Sequence, residues 1–336
     1  MRRRLATEGG AYFSTPPKLQ FVQSGASPLD CVLGWGWPLG RVVNIVGDES
    51  SGKTLVAMEA MINCARQFPD AHICYRESEA ALVKEYAAHL GLPLDRVELA
   101  REVGTTDTVE RFYDHLMLFL KKLDGAPGFY VLDSLDALSD EAEMDRDIDK
   151  NTMGTQKAKK LSELFRKVTE QVESSKVCLM IVSQTRDKIG GGFGRKYTRA
   201  GGKALNFYAS IIVYLAHIGE LKRQVSKVKR TVGVSVRAKC TKNKIGLPFR
   251  QCDFPIIFGY GIEDIYSALS WLKEHGRLGD VNLTEKVAAD LMADALNMKL
   301  VPEDVQQWRA KLTKIVPRVW WDIEKTFLPA RGKYNQ

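Results

Sequence analysis

The residues best suited to chemistry form a glycine-bounded turn between an apolar segment and a helical pattern. Gly47, Gly52, Lys53 and Thr54 match the pattern G-x-x-x-x-G-K-[ST]. In that pattern backbone N–H groups surround phosphates, the lysine neutralises the β- and γ-phosphates, and the hydroxyl ligates Mg²⁺. The helix that begins at the lysine adds the positive end of its dipole to the anion site. A chance match in a Gly/Ser-rich turn is the alternative, and the strand and helix patterns that flank residues 47–54 argue against it.

A candidate metal-binding carboxylate follows a second predicted strand. Apolar residues 129–132 end at Asp133, and an apolar strand that ends in aspartate is the usual partner of a phosphate loop, because that carboxylate orients the Mg²⁺ and its water. The alternative is that Asp133 caps the next helix, although Ser134 or Asp136 could do so instead. The predicted nucleotide contacts are Gly47, Asp48, Glu49, Ser50, Ser51, Gly52, Lys53, Thr54 and Asp133, with Thr54 and Asp133 as metal ligands.

Two further apolar segments end in polar groups. Residues 72–75 run into Arg76-Glu77-Ser78-Glu79, and the segment KVCLMIV runs into Ser183-Gln184. Chemistry in parallel sheets sits at the carboxyl ends of strands. These residues are therefore candidates for the same site.

Composition limits the class of protein. The chain has 336 residues, a formal net charge of +8 and a pI near 9.0, which favours a polyanionic partner without locating a site for it. Six scattered cysteines without a C-x-x-C pair predict a reduced, cytoplasmic protein without structural zinc. No stretch approaches the ~18 apolar residues of a membrane span, so we predict a protein that is neither secreted nor embedded in a membrane.

The order of the predicted strands and helices along the chain indicates the fold class. Strands and helices alternate early and strands follow one another late, which predicts an α/β fold with a mostly parallel central sheet and an antiparallel edge. Ser27 is the expected N-cap of a first helix that stops at Gly34. The basic stretch GELKRQVSKVKR is expected to be a turn. We predict a short N-terminal arm at 1–23, a core at 24–279 and a small C-terminal helical domain at 280–336, with Trp308, Trp320 and Trp321 in its core.

A long basic segment rich in glycine follows Gln184. It reads DKIGGGFGRKYTRAGGK and lacks the pattern of a regular element. Loops of this length inside a compact domain are usually functional or disordered. A solvated flexible loop is the plain alternative to a binding role.

Ordered motifs along residues 24–279 resemble the RecA family of recombinases, which includes bacterial and phage strand-exchange proteins. The motifs are SGASPLD, GDESSGKT, ESEAALVKEYAAHLG, YVLDS, SQTRDKIGGGFG, GGKALNFYAS and TKNKIGLPFRQCDF. The resemblance implies a RecA-like P-loop ATPase core that uses ATP and Mg²⁺. So many matches in the same order are far more specific than a lone phosphate loop.

The resemblance implies roles for the catalytic residues. Glu79 would activate the attacking water, and it is preferred to Glu77 because it stands twelve residues before Gly91, as the family's catalytic glutamate does before its own glycine. Tyr86 would stack on the adenine, and Gln184 would sense the γ-phosphate and order the basic loop. Two lysines of TKNK, Lys242 and Lys244, resemble those that reach the ATP of a neighbouring subunit; a solvated basic turn is the alternative.

The resemblance also implies two DNA-binding loops. An unordered chain of basic residues and glycines suits contact with a nucleic-acid backbone without regard to sequence. The implied DNA-binding residues are Met153, Gly154, Lys159, Ser162, Arg166, Arg186, Lys188, Ile189, Phe193, Arg195, Lys196, Arg199, Gly201, Gly202 and Lys203.

The sequence hypothesis is therefore a DNA-dependent ATPase that forms a homo-oligomeric filament on single-stranded DNA and exchanges strands with a homologous duplex. A single-strand-binding protein or a loading mediator would be a further partner. The arm at 1–23 is shorter than the family's N-terminal helix, so it would join subunits differently. The rival hypotheses are a ring-forming helicase or motor on the same core, and a regulatory DNA-binding filament without strand exchange. The TKNK motif and Glu79 favour the first hypothesis.

Overall fold

A nine-stranded sheet organises the part of the chain that the structure describes. The structure is a computed structural model, and it describes residues 19–78, 83–100, 107–139, 155–187, 197–198 and 202–330. The strands are β1 (Phe21–Val22), β2 (Trp37–Pro38), β3 (Arg41–Gly47), β4 (His72–Glu77), β5 (Val97–Ala100), β6 (Gly128–Asp133), β7 (Val177–Gln184), β8 (Arg186–Asp187), β9 (Tyr197–Thr198), β10 (Ile211–Val225), β11 (Val228–Asn243), β12 (Gln251–Ile257) and β13 (Gly261–Ile262). The α-helices are α1 (Ser27–Leu33), α2 (Lys53–Gln67), α3 (Lys84–His89), α4 (Val109–Lys122), α5 (Thr155–Ser174), α6 (Gly202–Tyr208), α7 (Asp264–Glu274), α8 (Glu285–Leu296) and α9 (Pro302–Phe327).

The sheet has a parallel part and an antiparallel part. Its strand order is β13-β12-β11-β10-β3-β7-β6-β4-β5. The strands from β10 to β5 run parallel, whereas β10, β11, β12 and β13 pair antiparallel. The predicted α/β class, with a mostly parallel sheet and an antiparallel edge, is confirmed.

Both faces of the sheet are covered because its central strands are apolar on both sides. On β3, Val43 and Ile45 enter one buried cluster, and Val42 and Val46 enter the other. Helices α1, α2 and α7 to α9 cover the first face, and α4, α5 and α6 cover the second. This arrangement explains why the interior of β3 is apolar on both faces except at Asn44, a pattern typical of parallel strands buried on both faces. The packing on both faces also holds in place the carboxyl end of β3, where the phosphate loop begins.

The C-terminal helices pack against the core. Trp320 is 7% exposed and stacks on Trp271 of α7, with ring centroids 5.3 Å apart. Trp308 is half-buried against the same cluster, and Trp321 stacks on Trp35 at 6.0 Å. Arg250 adds a bidentate ion pair to Glu324, with N–O distances of 2.7 and 2.5 Å. The tryptophans therefore serve packing, although Trp320 and Trp321 stack on Trp271 and Trp35, which lie outside residues 280–336.

Two local predictions are wrong. Ser27 is the first residue of α1 rather than its N-cap; Ala26 occupies that position without a side-chain hydrogen bond, while Gly34 ends the helix with φ of 78°. The basic stretch GELKRQVSKVKR is not a turn, because it forms the paired ends of β10 and β11, and its turn includes Ser226 at φ of 56°.

The sequence of the hairpin does not alternate between apolar and polar residues, because both of its faces are largely exposed beyond Ala216. The backbone ladder continues from Ile211 to Val225 against Asn243 to Val228. Arg223 also donates to the carbonyl oxygen of Leu296 at 2.6 Å, which ties the hairpin to the end of α8. A free two-stranded hairpin is only marginally stable, so continuity with the sheet and this anchor stabilise it.

The carboxyl group of Glu263 makes one part of the fold sensitive to pH. Its side chain is 2% exposed and accepts the N–H of Tyr266 as the N-cap of α7. Burial, with a smaller contribution from neighbouring Asp264, raises its pKa from 4.5 to about 7. The folded state therefore holds a proton that the unfolded state releases between these two pH values. Stability conferred by the neutral group falls as pH rises through that window.

We expect Glu263→Gln to flatten this pH dependence, because glutamine keeps an acceptor for the cap and does not ionise. The wild-type free energy of unfolding should fall by up to about 3 kcal/mol more than that of the variant between pH 4.5 and 8. Urea unfolding at both pH values measures the difference. Glu274→Gln, on the exposed end of the same helix, is the control. Equal slopes for Glu263→Gln and wild type would contradict the assignment.

Candidate nucleotide site

The phosphate loop has a conformation that two of its glycines make possible. A Cβ on Gly47 would lie 2.4 Å from Oγ of Ser51 and 2.6 Å from the carbonyl oxygen of Leu215. Gly52 precedes α2 with φ of 84°, and its Cβ would lie 2.5 Å from Cδ1 of Ile256. Because side chains do not fit at these positions and positive φ favours glycine, the motif spacing is a requirement of the backbone.

Lys53 is held inside the loop. Its ammonium donates to the carbonyl oxygen of Asp48 at 2.6 Å, and Oγ of Ser51 donates to the same oxygen at 2.7 Å. The lysine is 8% exposed, whereas Asp48, Glu49 and Ser50 are exposed. A phosphate would compete with this carbonyl for the ammonium, since charge-assisted hydrogen bonds are the stronger ones.

Oxygen ligands suited to Mg²⁺ meet beside the loop. Oγ1 of Thr54 donates to Oδ2 of Asp133 at 2.7 Å, and the hydroxyl of Tyr75 donates to the same oxygen at 3.0 Å. Asp133 is 7% exposed at the end of β6. Mg²⁺ is commonly bound by one or two carboxylates together with phosphates and water. The hydroxyl and carboxylate fit that role, and no group of three or more His, Cys, Asp or Glu with metal-site geometry occurs within the described ranges.

The ends of β3 and β7 lie side by side. Gly47 and Gln184 are register partners, and the N–H of Gln184 donates to Oδ2 of Asp136 at 2.7 Å. The next residue, Thr185, donates its N–H to the carbonyl oxygen of Gly47 at 3.3 Å and its hydroxyl to the carboxylate of Asp48. The structure thus brings Gln184 to the phosphate loop.

Three of these contact residues, Tyr75, Asp136 and Thr185, were missed by the sequence prediction. Asp136 had been considered only as a helix cap, and no local pattern marks any of them. Their partners lie 48 to 137 residues away in the chain. Only the sheet order brings the strand ends together.

Lys242 and Lys244 lie at the edge of the sheet opposite the one at which β3 ends and the phosphate loop begins. Asn243 and Val43 are both register partners of Ile211, whereas Leu215 pairs with Gly47. At the strand rise of roughly 3.3 Å per residue, the lysines are displaced about 10–15 Å from the level of the loop, and they lie two strands away. The same chain therefore does not bring them to its own loop.

The immediate surroundings of the two lysines differ. The ammonium of Lys242 donates to the carbonyl oxygens of Asn206 and Phe207 at 2.5 and 2.9 Å, at the end of α6. Lys244 is exposed just after β11. A cation near a helix C-terminus is favoured by the helix dipole.

The candidate DNA-binding residues of α5 share one exposed side of the helix. Lys159, Ser162 and Arg166 are exposed, and their spacing of three and four residues places them on one face. Leu161 and Phe165 are buried on the opposite side. The helix therefore has one buried side and one exposed side.

Other predicted residues lie outside the described residues or are only partly described. Those outside are Glu79, Met153, Gly154, Lys188, Ile189, Phe193, Arg195, Lys196, Arg199 and Gly201. Of Arg186, Gly202 and Lys203 only the backbone is described: β8 pairs antiparallel with β9, and α6 begins at Gly202. Tyr86 is 38% exposed on α3, and the rival base Glu77 is half-buried at the end of β4, in register with Asp133.

Comparison with known proteins agrees with this geometry. The family model of the RecA N-terminal domain matches residues 13–263. Protein RecA of Arthrobacter sp. (strain FB24) is 38% identical over 259 residues, or 77% of this chain and 70% of that protein. Protein RecA of Frankia alni is 36% identical over 78% of this chain and 72% of that protein. Protein RecA of Nostoc punctiforme is 35% identical over 78% and 70%.

The chain is therefore a member of the RecA family. It is a DNA recombinase of recombination and repair, and the family to which it belongs consists of ATP-using, DNA-dependent ATPases that form filaments. None of the described helices is long and apolar enough to cross a membrane.

Proposed function

We propose that this protein binds ATP and Mg²⁺ between adjacent copies in a filament on single-stranded DNA, and that the filament exchanges strands with a homologous duplex. Residues 47–54 would surround the triphosphate, with Lys53 on its terminal phosphates. Thr54 and Asp133 would hold Mg²⁺, which supplies charge neutralisation at the phosphates when bound. Tyr86 would stack on the adenine.

Glu79 and Gln184 would divide the work on the γ-phosphate. Glu79 would accept a proton from the attacking water as general base. Gln184 is supported as the sensor by its register with Gly47 and by its position two residues before the strand that leads into the basic segment. A side chain at that point can respond to the phosphate and act on the segment that follows.

The location of Lys242 and Lys244 is the main support for an ATP site shared between copies. The two lysines lie at the edge of the sheet away from the loop of their own chain, and a head-to-tail assembly would bring that edge of one copy to the loop of the next. ATP held by Lys53 of one copy and by the lysine pair of its neighbour would stabilise the filament. Hydrolysis would remove this bridge.

DNA would lie along the exposed face of α5 and the basic segment 186–203. Lys159 and Arg166 supply phosphate contacts of low sequence preference, and apolar residues such as Met153 and Ile189 would separate bases. A single-strand-binding protein or loading mediator would assist assembly. The six free cysteines suit the reducing cytoplasm in which we place the protein.

Mixing two inactive variants tests the shared site. We expect Lys53→Ala alone and Lys242→Ala/Lys244→Ala alone to release almost no phosphate on single-stranded DNA. An equal mixture should recover about a quarter of the wild-type rate, because random head-to-tail assembly joins an intact loop to an intact lysine pair at about one interface in four.

The control for the lysine pair is Lys314→Ala, which removes an exposed charge from α9 and should hydrolyse ATP like wild type. Wild-type turnover by Lys242→Ala/Lys244→Ala alone would contradict the proposal. So would a mixture that stays at the sum of its parts although the two variants assemble together on DNA.

A further inference from the structure

Asp48, Asp136 and Thr185, here called the latch, connect the phosphate loop to the strand ends beside it. Asp48 belongs to the loop, Asp136 follows β6, and Thr185 follows β7. The bond from the Thr185 hydroxyl to Asp48 and the bond from the Gln184 N–H to Asp136 each join two separate segments. Both bonds meet at the carboxyl end of β7.

Thr185 occupies the single position between β7 and β8. Its N–H and its hydroxyl both bind the loop, at the carbonyl of Gly47 and the carboxylate of Asp48. Directly after it, Arg186 and Asp187 form β8, which pairs with β9. Thr185 therefore connects the loop at Gly47 and Asp48 directly to the first residue of this two-stranded ribbon.

Asp136 holds the other side of the same strand end. It is 8% exposed, and its Oδ2 accepts the N–H of Gln184 at 2.7 Å. Its own carbonyl oxygen accepts from Lys157 of α5 at 3.3 Å. The backbone of Gln184 is therefore fixed by a buried carboxylate that is also bonded to the helix carrying the candidate phosphate contacts.

Asp48 is the member that can report nucleotide. Its carbonyl accepts the ammonium of Lys53, while its carboxylate accepts the hydroxyl of Thr185. A triphosphate that takes the ammonium removes the strongest donor from that carbonyl, so the Asp48 peptide has a different set of partners with and without nucleotide. A change of partners of this kind gives a two-state element that both sites can bias.

We propose that Thr185 and Asp136 are positioning residues that couple nucleotide at the phosphate loop to DNA binding through the ribbon that begins at Arg186. This inference rests on the proposed function, in which ATP raises the affinity for single-stranded DNA. Thr185 and Asp136 transmit the state of the loop, and neither of them touches the phosphates or takes part in hydrolysis.

Two matched pairs of variants test the latch. Thr185→Val keeps the branched shape and loses the hydroxyl, whereas Thr185→Ser keeps the hydroxyl. Asp136→Ala loses the acceptor, whereas Asp136→Asn keeps an acceptor oxygen for the N–H of Gln184. The dissociation constant of a labelled single-stranded oligonucleotide is measured with and without a non-hydrolysable ATP analogue and Mg²⁺, and the ratio of the two constants is the coupling.

We expect Thr185→Val and Asp136→Ala to reduce the coupling at least about fivefold, within the range of coupling between sites in proteins. Thr185→Ser and Asp136→Asn should stay within about twofold of wild type. The affinity of Thr185→Val for the analogue without DNA should also stay within about twofold of wild type. A general loss of structure would lower this affinity as well.

The outcomes separate the two proposals. If the analogue does not raise the DNA affinity of the wild type, the proposed function fails. If it does, and Thr185→Val and Asp136→Ala keep the full coupling, the proposed function stands and the latch is wrong. Should Thr185→Val melt far below wild type, the Asp136→Ala and Asp136→Asn pair decides the question by the same ratio.

Discussion

Lys53→Ala is expected to lower DNA-dependent phosphate release at least about a hundredfold and to remove the effect of ATP on DNA binding. The ammonium is buried in the loop and bonded to the carbonyl of Asp48, so it is already placed where phosphate oxygens would lie. Removing a preorganised charge from a phosphoryl-transfer site commonly costs two to three orders of magnitude in rate, roughly 10²–10³-fold. Phosphate release with and without single-stranded DNA measures the loss.

The control for this prediction is Lys121→Ala, which removes an exposed lysine from α4 and should leave turnover unchanged. Thermal melting of both variants shows whether the fold is kept, since Lys53 also packs inside the loop. A folded Lys53→Ala protein that hydrolyses ATP at the wild-type rate would refute the assignment of residues 47–54 as the nucleotide site.

Glu79→Gln is expected to separate hydrolysis from binding. A general base contributes about 10²–10⁴-fold to such a reaction, so kcat should fall by at least about a hundredfold. Glutamine keeps the size and a polar end, and nucleotide binding should persist. DNA complexes formed with ATP should therefore last longer than those of the wild type. Turnover and the dissociation rate of the complex measure both effects.

The rival glutamate supplies the matched comparison. Glu77 ends β4 in register with Asp133, so Glu77→Gln changes a neighbour of the proposed metal site and should reduce turnover far less. If Glu77→Gln causes the large loss and Glu79→Gln does not, the catalytic role belongs to Glu77.

The sequence predicted those parts of the fold in which local pattern and burial agree. β3, β6 and β7 are mostly apolar because both faces of the sheet are covered, and α5 shows the 3.6-residue period of a helix with one buried side. The phosphate loop was recognisable because Gly47 and Gly52 are required by contact and by φ. Asp133 was expected at the tip of β6, and it lies there beside Thr54.

Features that depend on distant neighbours were not predictable in the same way. The hairpin ends of β10 and β11 carry charges instead of an alternating pattern, because the backbone ladder rather than burial defines them. The short strand β5 was also missed, since its four residues gain their structure from pairing with β4. The latch joins Asp48, Asp136 and Thr185 only after the sheet order has placed three strand ends together.

The predicted placement of the lysine pair illustrates what structure adds to resemblance. TKNK alone was consistent with a solvated basic turn, and the register of β11 against β10 shows which edge of the sheet it occupies. A lysine side chain at that edge does not reach the loop of its own chain. The hypothesis of a site shared between copies therefore gains a geometric argument that the motif did not contain.

Electron microscopy of the protein with single-stranded DNA, Mg²⁺ and a non-hydrolysable ATP analogue tests the shared site most directly. We expect regular helical filaments for the wild type, and none for Lys53→Ala alone under the same conditions. Closed rings on the DNA, or wild-type protein that stays monomeric with DNA and nucleotide together, would contradict it.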